Sequence, residues 1–144
     1  MMESESSMNA AFLITPKNEV EFVYEDWTIR QALEKMEHYR YTAIPVLNRS
    51  GRYVGTLTEG DMLWNLKNHA SLDFKDTEHL PLSHVPRHRD SSAMSINVAI
   101  EDMIETSLTQ NFVPIVDDSG VFIGIIRRKE IISYLLAQQT KVRC

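Results

Sequence analysis

The chain repeats itself once, and the repeat limits what it can fold into. Ile44-Pro45-Val46-Leu47-Asn48-Arg49-Ser50-Gly51-Arg52-Tyr53-Val54-Gly55 is matched by Val113-Pro114-Ile115-Val116-Asp117-Asp118-Ser119-Gly120-Val121-Phe122-Ile123-Gly124. The prolines and both pairs of glycines keep a constant offset of 69. Each segment is a short apolar run, a polar turn ending in Ser-Gly, and a second apolar run. That is the pattern of a β-hairpin, present twice.

Each hairpin is flanked by helical patterns. Ahead of the first, Ile29, Ala32, Leu33 and Met36 recur at i, i+3, i+4 and i+7, an amphipathic stripe. Thr28 and Gln31 have capping-box spacing, so this helix is predicted to begin at Thr28. Ahead of the second, Ile100, Met103, Ile104 and Leu108 form a similar stripe at an offset of 71. Residues 61–67 and 130–136 read as helices after the hairpins, and residues 21–24 and 93–96 as short strands before each unit. The repeating unit is therefore strand–helix–strand–strand–helix, an α+β arrangement. The stretch from 68 to 90 is polar, holds Pro81 and Pro86, and is long for a loop. A turn of helix is expected within 80–85. The expected organisation is a flexible N-terminus (1–11), a first motif (12–68), a linker (69–90), a second motif (91–138) and a short tail (139–144).

Neither unit buries much alone, so the two are expected to pack as one pseudo-two-fold domain. The 144 residues suit that, and 43% hydrophobic content is too high for a disordered chain. The net charge of −5 argues against sequence-independent binding of DNA or RNA, which needs a basic surface. Cys144 is the single cysteine, so no intramolecular disulfide forms and nothing points to an oxidising compartment. No apolar run approaches the roughly 20 residues that span a bilayer. Residues 1–10 lack a basic start and a long apolar core. The expectation is a cytoplasmic protein that does not enter a membrane.

The chain resembles the CBS domain family. The residues that carry the resemblance are Tyr41-Thr42-Ala43-Ile44-Pro45-Val46, Gly51, Gly55 and Thr58-Glu59-Gly60-Asp61, then Asn111-Phe112-Val113-Pro114-Ile115-Val116, Gly120, Gly124 and Arg127-Arg128-Lys129-Glu130. The resemblance implies a tandem CBS pair, often called a Bateman module, with two clefts between the motifs that commonly take adenine nucleotides or cyclic dinucleotides. It further implies that each cleft combines the residues before the proline of one motif with the start of the last helix of the other. One cleft would join Asn111, Phe112, Val113 and Pro114 to Thr58 and Asp61, whose Thr-x-x-Asp spacing matches the family's. There the hydroxyl reaches phosphate and the carboxylate takes the ribose hydroxyls. Read from the spacing alone, the plainer reading is that Thr58 caps the helix.

The other cleft would join Tyr41, Thr42, Ala43, Ile44 and Pro45 to Arg127, Arg128, Lys129 and Glu130. Here Arg127 stands where the family has Thr or Ser, and Glu130 where it has Asp. Guanidinium groups bind phosphate bidentately, so this run favours an anionic ligand, with Arg127 first, Arg128 next and Lys129 a surface charge. A basic run at a helix N-terminus opposes the helix dipole; the plainer reading is a solvated turn. Lys17 is a further phosphate candidate. Tyr41 and Phe112 are candidates either to stack on adenine or to pack in the core. The cationic run with its acidic end, together with Tyr41-Thr42-Ala43-Ile44-Pro45, is similar to small stand-alone CBS proteins of Gram-positive bacteria, some of which bind cyclic di-AMP.

No catalytic residues are expected, since no nucleophile motif, P-loop or carboxylate cluster appears. No metal and no cofactor are expected either. His84 and His88 are spaced i, i+4, but Pro86 lies between them, and His79 adds no matching motif. Glu101, Asp102 and Glu105 read as a solvated face; Met62, Leu63 and Trp64 read as core or dimer interface. The resemblance implies a homodimer formed through helices, with Leu135, Leu136 and Met36 as candidate contacts, and a separate effector protein that receives the signal. The expected function is a regulatory sensor whose ligand is AMP, ADP, ATP or cyclic di-AMP. The rivals are a ligand-independent interaction scaffold and a phosphohydrolase.

Overall fold

Thr28 opens the first long helix as its spacing predicts. Its hydroxyl accepts from the Gln31 N–H at 3.2 Å, and Gln31 Oε1 accepts from the Thr28 N–H at 2.9 Å. Two amides that a helix start leaves without partners are thereby satisfied. The computed structural model describes residues 11–68, 81–85 and 92–143. Its strands are β1 (Thr15–Pro16), β2 (Val23–Tyr24), β3 (Ala43–Leu47), β4 (Tyr53–Thr58), β5 (Met94–Ser95), β6 (Phe112–Val116) and β7 (Phe122–Arg127). Its α-helices are α1 (Ile29–Tyr39), α2 (Glu59–Asn68), α3 (Ile100–Ser107) and α4 (Arg128–Arg143). The fold is mixed α+β, and the chain divides into two compact units. Among the described residues, those from Ala11 to Val20 and from Ser92 to Arg143 form one unit, and those from Glu21 to Val85 form the other.

In the first motif the sheet order is β2-β3-β4, with β2 parallel and β4 antiparallel to β3. The stripe of α1 packs on this sheet: Ile29, Ala32 and Met36 join Ile44, Val46 and Leu57 in one buried cluster, with Leu33 against its edge. Met36 is only 3% exposed. It is a core residue, which corrects its expected place at a dimer interface. A turn of 3-10 helix at Leu82–His84 closes the same cluster through Leu82 and Val85; of the turn expected at 80–85, Leu80 lies outside the described residues.

The second motif repeats this plan around Ile100, Met103, Val113, Ile115, Ile126 and Ile131. Its sheet has an added edge strand, in the order β1-β7-β6-β5. Strand β1 pairs antiparallel with β7, placing Thr15 opposite Ile125 and Pro16 opposite Gly124. Only a glycine fits there, because a Cβ on Gly124 would lie 2.3 Å from the Thr15 carbonyl oxygen. The 3-10 turn before β1, Ala11–Leu13, is the counterpart of Leu82–His84 at the offset of 71, a part of the repeat that sequence reading did not find.

The repeat extends to single hydrogen bonds. In the first hairpin, Asn48 Oδ1 accepts from the N–H groups of Ser50 and Arg52; in the second, Asp117 Oδ1 accepts from Ser119 and Val121. Gly51 and Gly120 follow with φ of 86° and 83°, a left-handed conformation that glycine adopts without steric cost. Four expectations are corrected. Helix α2 begins at Glu59, not 61, and α4 runs from Arg128 to Arg143, so the expected tail is helical as far as Arg143. The leading strands shrink to two residues each. Leu108 lies beyond the end of α3 and is 75% exposed, while Ser107 takes the buried position.

Candidate functional site

The two helix starts singled out by the sequence follow directly from the second hairpin strands. In the first motif, Thr58 ends β4 and precedes α2. Its hydroxyl accepts from the Asp61 N–H at 3.0 Å, and Asp61 Oδ2 accepts from the Thr58 N–H at 3.0 Å. This is a reciprocal capping box, so Thr58 does cap the helix, as its plainer reading holds. Asp61 is 4% exposed. The Glu59 N–H donates to the Thr42 carbonyl at 3.0 Å, and Ala43 pairs with Thr58 across the sheet. Thr42, Ala43, Thr58 and Asp61 are thus neighbours within one motif. Ile44 and Pro45 are buried, so the Ile44 side chain belongs to the core. Tyr41 is half-buried against that core, with its ring 5.8 Å from that of Tyr39.

In the second motif the same positions carry different chemistry. Arg127 ends β7 opposite Phe112, and the Arg128 N–H donates to the Asn111 carbonyl at 3.0 Å. Arginine has no acceptor atom, so the capping box seen at Thr58 cannot form at Arg127. Among the described residues the Arg127 guanidinium meets no carboxylate; it is half-buried, as is Glu130, while Lys129 is exposed. Arg128 differs from both, because its Nε donates to the Ser107 carbonyl at 2.8 Å. Val113 and Pro114 are buried, Phe112 is half-buried and Asn111 is exposed. Lys17 follows β1, and the antiparallel register carries it toward the hairpin turn, away from Arg127.

Two contributors escaped the sequence reading. Gln110 accepts from the Ser92 N–H through Oε1 and donates through Nε2 to the Phe112 carbonyl, pinning the loop ahead of β6. Ser107, read as part of no pattern, anchors Arg128. Neither has a periodic signal; both act through contacts distant in sequence. A groove of about 690 Å³ in the first motif is lined by Leu33, Met36, Arg40 and three carboxylates, Glu34, Glu37 and Glu59, a poor match for phosphate. Among the described residues no group of histidine, cysteine and carboxylate side chains is placed to hold a metal. His79 and His88 lie outside those residues. No described helix is long and apolar enough to cross a membrane.

The comparisons agree with this anatomy. The CBS domain model matches residues 13–68 and 91–137. An uncharacterized protein of Methanocaldococcus jannaschii, MJ1225, is 28% identical over 135 residues, which cover 85% of this chain and 48% of that protein. The chain thus spans about half the length of this curated relative. The crystal structure of CbpB in complex with c-di-AMP superposes with a TM-score of 0.85 at 16% identity, covering 99% of this chain and 93% of that one. CBSX2 in complex with AMP gives 0.73 at 20% identity, covering 91% and 98%. With both motifs matched and the doubled hairpin–helix unit in place, the chain belongs to the CBS domain family as a tandem pair.

Proposed function

We propose that this chain is a regulatory sensor of adenine nucleotides, with AMP, ADP, ATP or cyclic di-AMP as its ligand. The observation that carries the reading is the pair of unlike helix starts. At α2, a buried carboxylate and a hydroxyl sit three residues apart, a set suited to a ribose diol beside a phosphate. At α4, a guanidinium without a carboxylate partner among the described residues stands beside first-turn amides that favour an anion. The c-di-AMP of CbpB and the AMP of CBSX2 support the same ligand class. In this reading Thr58 and Asp61 hold ribose and phosphate, Arg127 with Glu130 serves a phosphate-bearing ligand, and one face each of Tyr41 and Phe112 stacks on adenine. Backbone groups of Thr42, Ala43, Ile44, Pro45, Asn111, Val113 and Pro114 complete the contacts.

No chemistry on the nucleotide is required. A ligand that binds one arrangement of the protein better than another shifts the population toward it, and a separate effector protein reads the shift. Leu63 on α2 and Ile132 and Leu136 on α4 are large, exposed and apolar, and the proposed homodimer uses these helices. A thermal-shift panel of AMP, ADP, ATP, cyclic di-AMP and adenosine tests the reading. Ligand at 100-fold above its Kd stabilises the protein by about 2.7 kcal/mol. A flat panel overturns the sensor and favours a ligand-independent scaffold, for which the exposed apolar helices are the supporting observation.

A further inference from the structure

We infer that Arg128 is a positioning residue that orders the ligand-facing loop of the second motif; the inference rests on the nucleotide reading above. Helix α3 ends at Ser107 without a basic residue in its last turn, and its C-cap Leu108 is right-handed. The amides of Leu108, Thr109 and Gln110 turn back to the Glu105 and Thr106 carbonyls, and the Ser107 hydroxyl donates to Ile104, but no left-handed cap serves the Ser107 carbonyl itself. Arg128 compensates from the other side of the motif. Its Nε donates to the Ser107 carbonyl at 2.8 Å in a part-buried setting, and its backbone N–H donates to the Asn111 carbonyl at 3.0 Å. One residue thus grips both ends of the segment from 107 to 111, and the positive guanidinium faces the negative end of the helix dipole. The segment leads straight into Asn111 and Phe112.

The first motif shows that this grip is not a requirement of the fold. Its equivalent of Arg128 is Glu59, whose N–H also reaches back, to the Thr42 carbonyl, but whose side chain has no donor. There α1 closes itself: Arg40 is left-handed (φ 58°), its N–H bonds to the Glu37 and Met36 carbonyls, and the Tyr41 N–H bonds to Met36 at 2.8 Å. The first loop is closed by a left-handed cap; the second keeps right-handed turn bonds to Glu105 and Thr106 and adds the side chains of Gln110 and Arg128. Arg128 therefore acts on the ligand through Asn111 and Phe112, and Arg127 is the direct phosphate contact.

Amide hydrogen exchange on the ligand-free full-length chain, with calorimetry of AMP and ATP, tests this. Arg128→Ala should speed exchange at residues 108–111 by about tenfold or more while the β6 and β7 amides keep their protection. It should weaken AMP and ATP by the same factor, because it disturbs the loop and not a particular phosphate. Arg127→Ala should leave exchange unchanged and weaken ATP more than AMP. Arg128→Lys, which keeps a charge and a donor, should fall between alanine and wild type, and it keeps the test readable if the alanine variant does not fold. Unchanged exchange in both Arg128 variants overturns the inference, as does a loss confined to ATP. If wild-type protein binds neither nucleotide, the sensor reading fails; fast exchange in Arg128→Ala would then mark a purely structural clamp and overturn the positioning role too.

Discussion

The starts of α2 and α4 occupy the same place in two copies of one motif and meet the same physical problem, a first helical turn with unpaired amides. The first copy solves it internally, with Thr58 and Asp61 bonded to each other's backbone. The second copy has Arg127 and Glu130 there, and arginine has no acceptor with which to form the same box. One backbone plan thus supports a helix start closed by a Thr–Asp capping box and one that carries a guanidinium in the threonine's place. The difference teaches that repetition conserves the hairpin and its core, while the residues at the helix start are free to diverge in chemistry.

The largest expected effects concern two glycines with different surroundings in the two copies. Gly124→Ala should destabilise the protein by about 1–3 kcal/mol, the usual cost of overpacking, because its Cβ would collide with the β1 backbone. Gly60→Ala, whose Cβ meets nothing nearer than 3.6 Å, should instead stabilise helix α2 by about 0.5–1 kcal/mol. Urea unfolding of the two variants checks both signs, and an unchanged midpoint for Gly124→Ala would mean that β1 does not sit on β7.

Asp61→Ala should remove half of the capping box and cost about 1 kcal/mol of stability, whereas Glu130→Ala should stay within about 0.5 kcal/mol. In calorimetry, Asp61→Ala should also weaken mononucleotide binding by about 1.5–3 kcal/mol, the range for a hydrogen bond to a charged group. Equal losses of stability at the two positions would erase the contrast between the motifs. The converse graft sharpens it: Arg127→Thr with Glu130→Asp installs the box in the second motif. It should raise stability by about 1 kcal/mol and reduce the preference for ATP over AMP, read by thermal melting and by calorimetry.

The smallest effect concerns the hairpin turns. Arg49 holds Asp26 through two bonds of 2.7 and 2.9 Å and lies 4.0 Å from the Tyr24 ring centre. The second motif has Asn97 and Asp118 at the corresponding places, so the ion pair has no counterpart. The hydrogen bond from Arg49 holds the Asp26 carboxyl below its ordinary value of 3.8. A lowered carboxylate pKa stabilises the fold above 3.8 and loses that contribution as pH falls through the folded value. The pair is exposed, so the gain is slight. An NMR titration should find Asp26 below 3.8 and moved back up by Arg49→Ala; no movement would show that the pair does not form in solution.

Much of the architecture was legible because it rests on local rules. Thr28 and Gln31 announce a capping box, the Ser-Gly turns announce left-handed glycines, and the stripe from Ile29 to Met36 announces a buried helix face. The errors fell where a local signal ran past its physical support. Leu108 continues the apolar spacing of α3, yet the helix ends one residue earlier and the leucine faces solvent. Met36 is apolar enough for an interface, but the stripe it belongs to is spent on the core.

The sequence by itself determined the doubled strand–helix–strand–strand–helix unit, the family, and the unlike chemistry of Thr58-x-x-Asp61 and Arg127-x-x-Glu130, because periodicity, turn residues and short motifs are encoded within a few residues of one another. Only the tertiary structure decided that β1 joins the second motif's sheet, that Gly124 makes room for it, and that Arg128 spends its side chain on Ser107. Each of these depends on two segments far apart in the chain meeting at about 3 Å, the range at which a hydrogen bond forms. No spacing along the chain records such a meeting, since it is set by how the helices and strands pack.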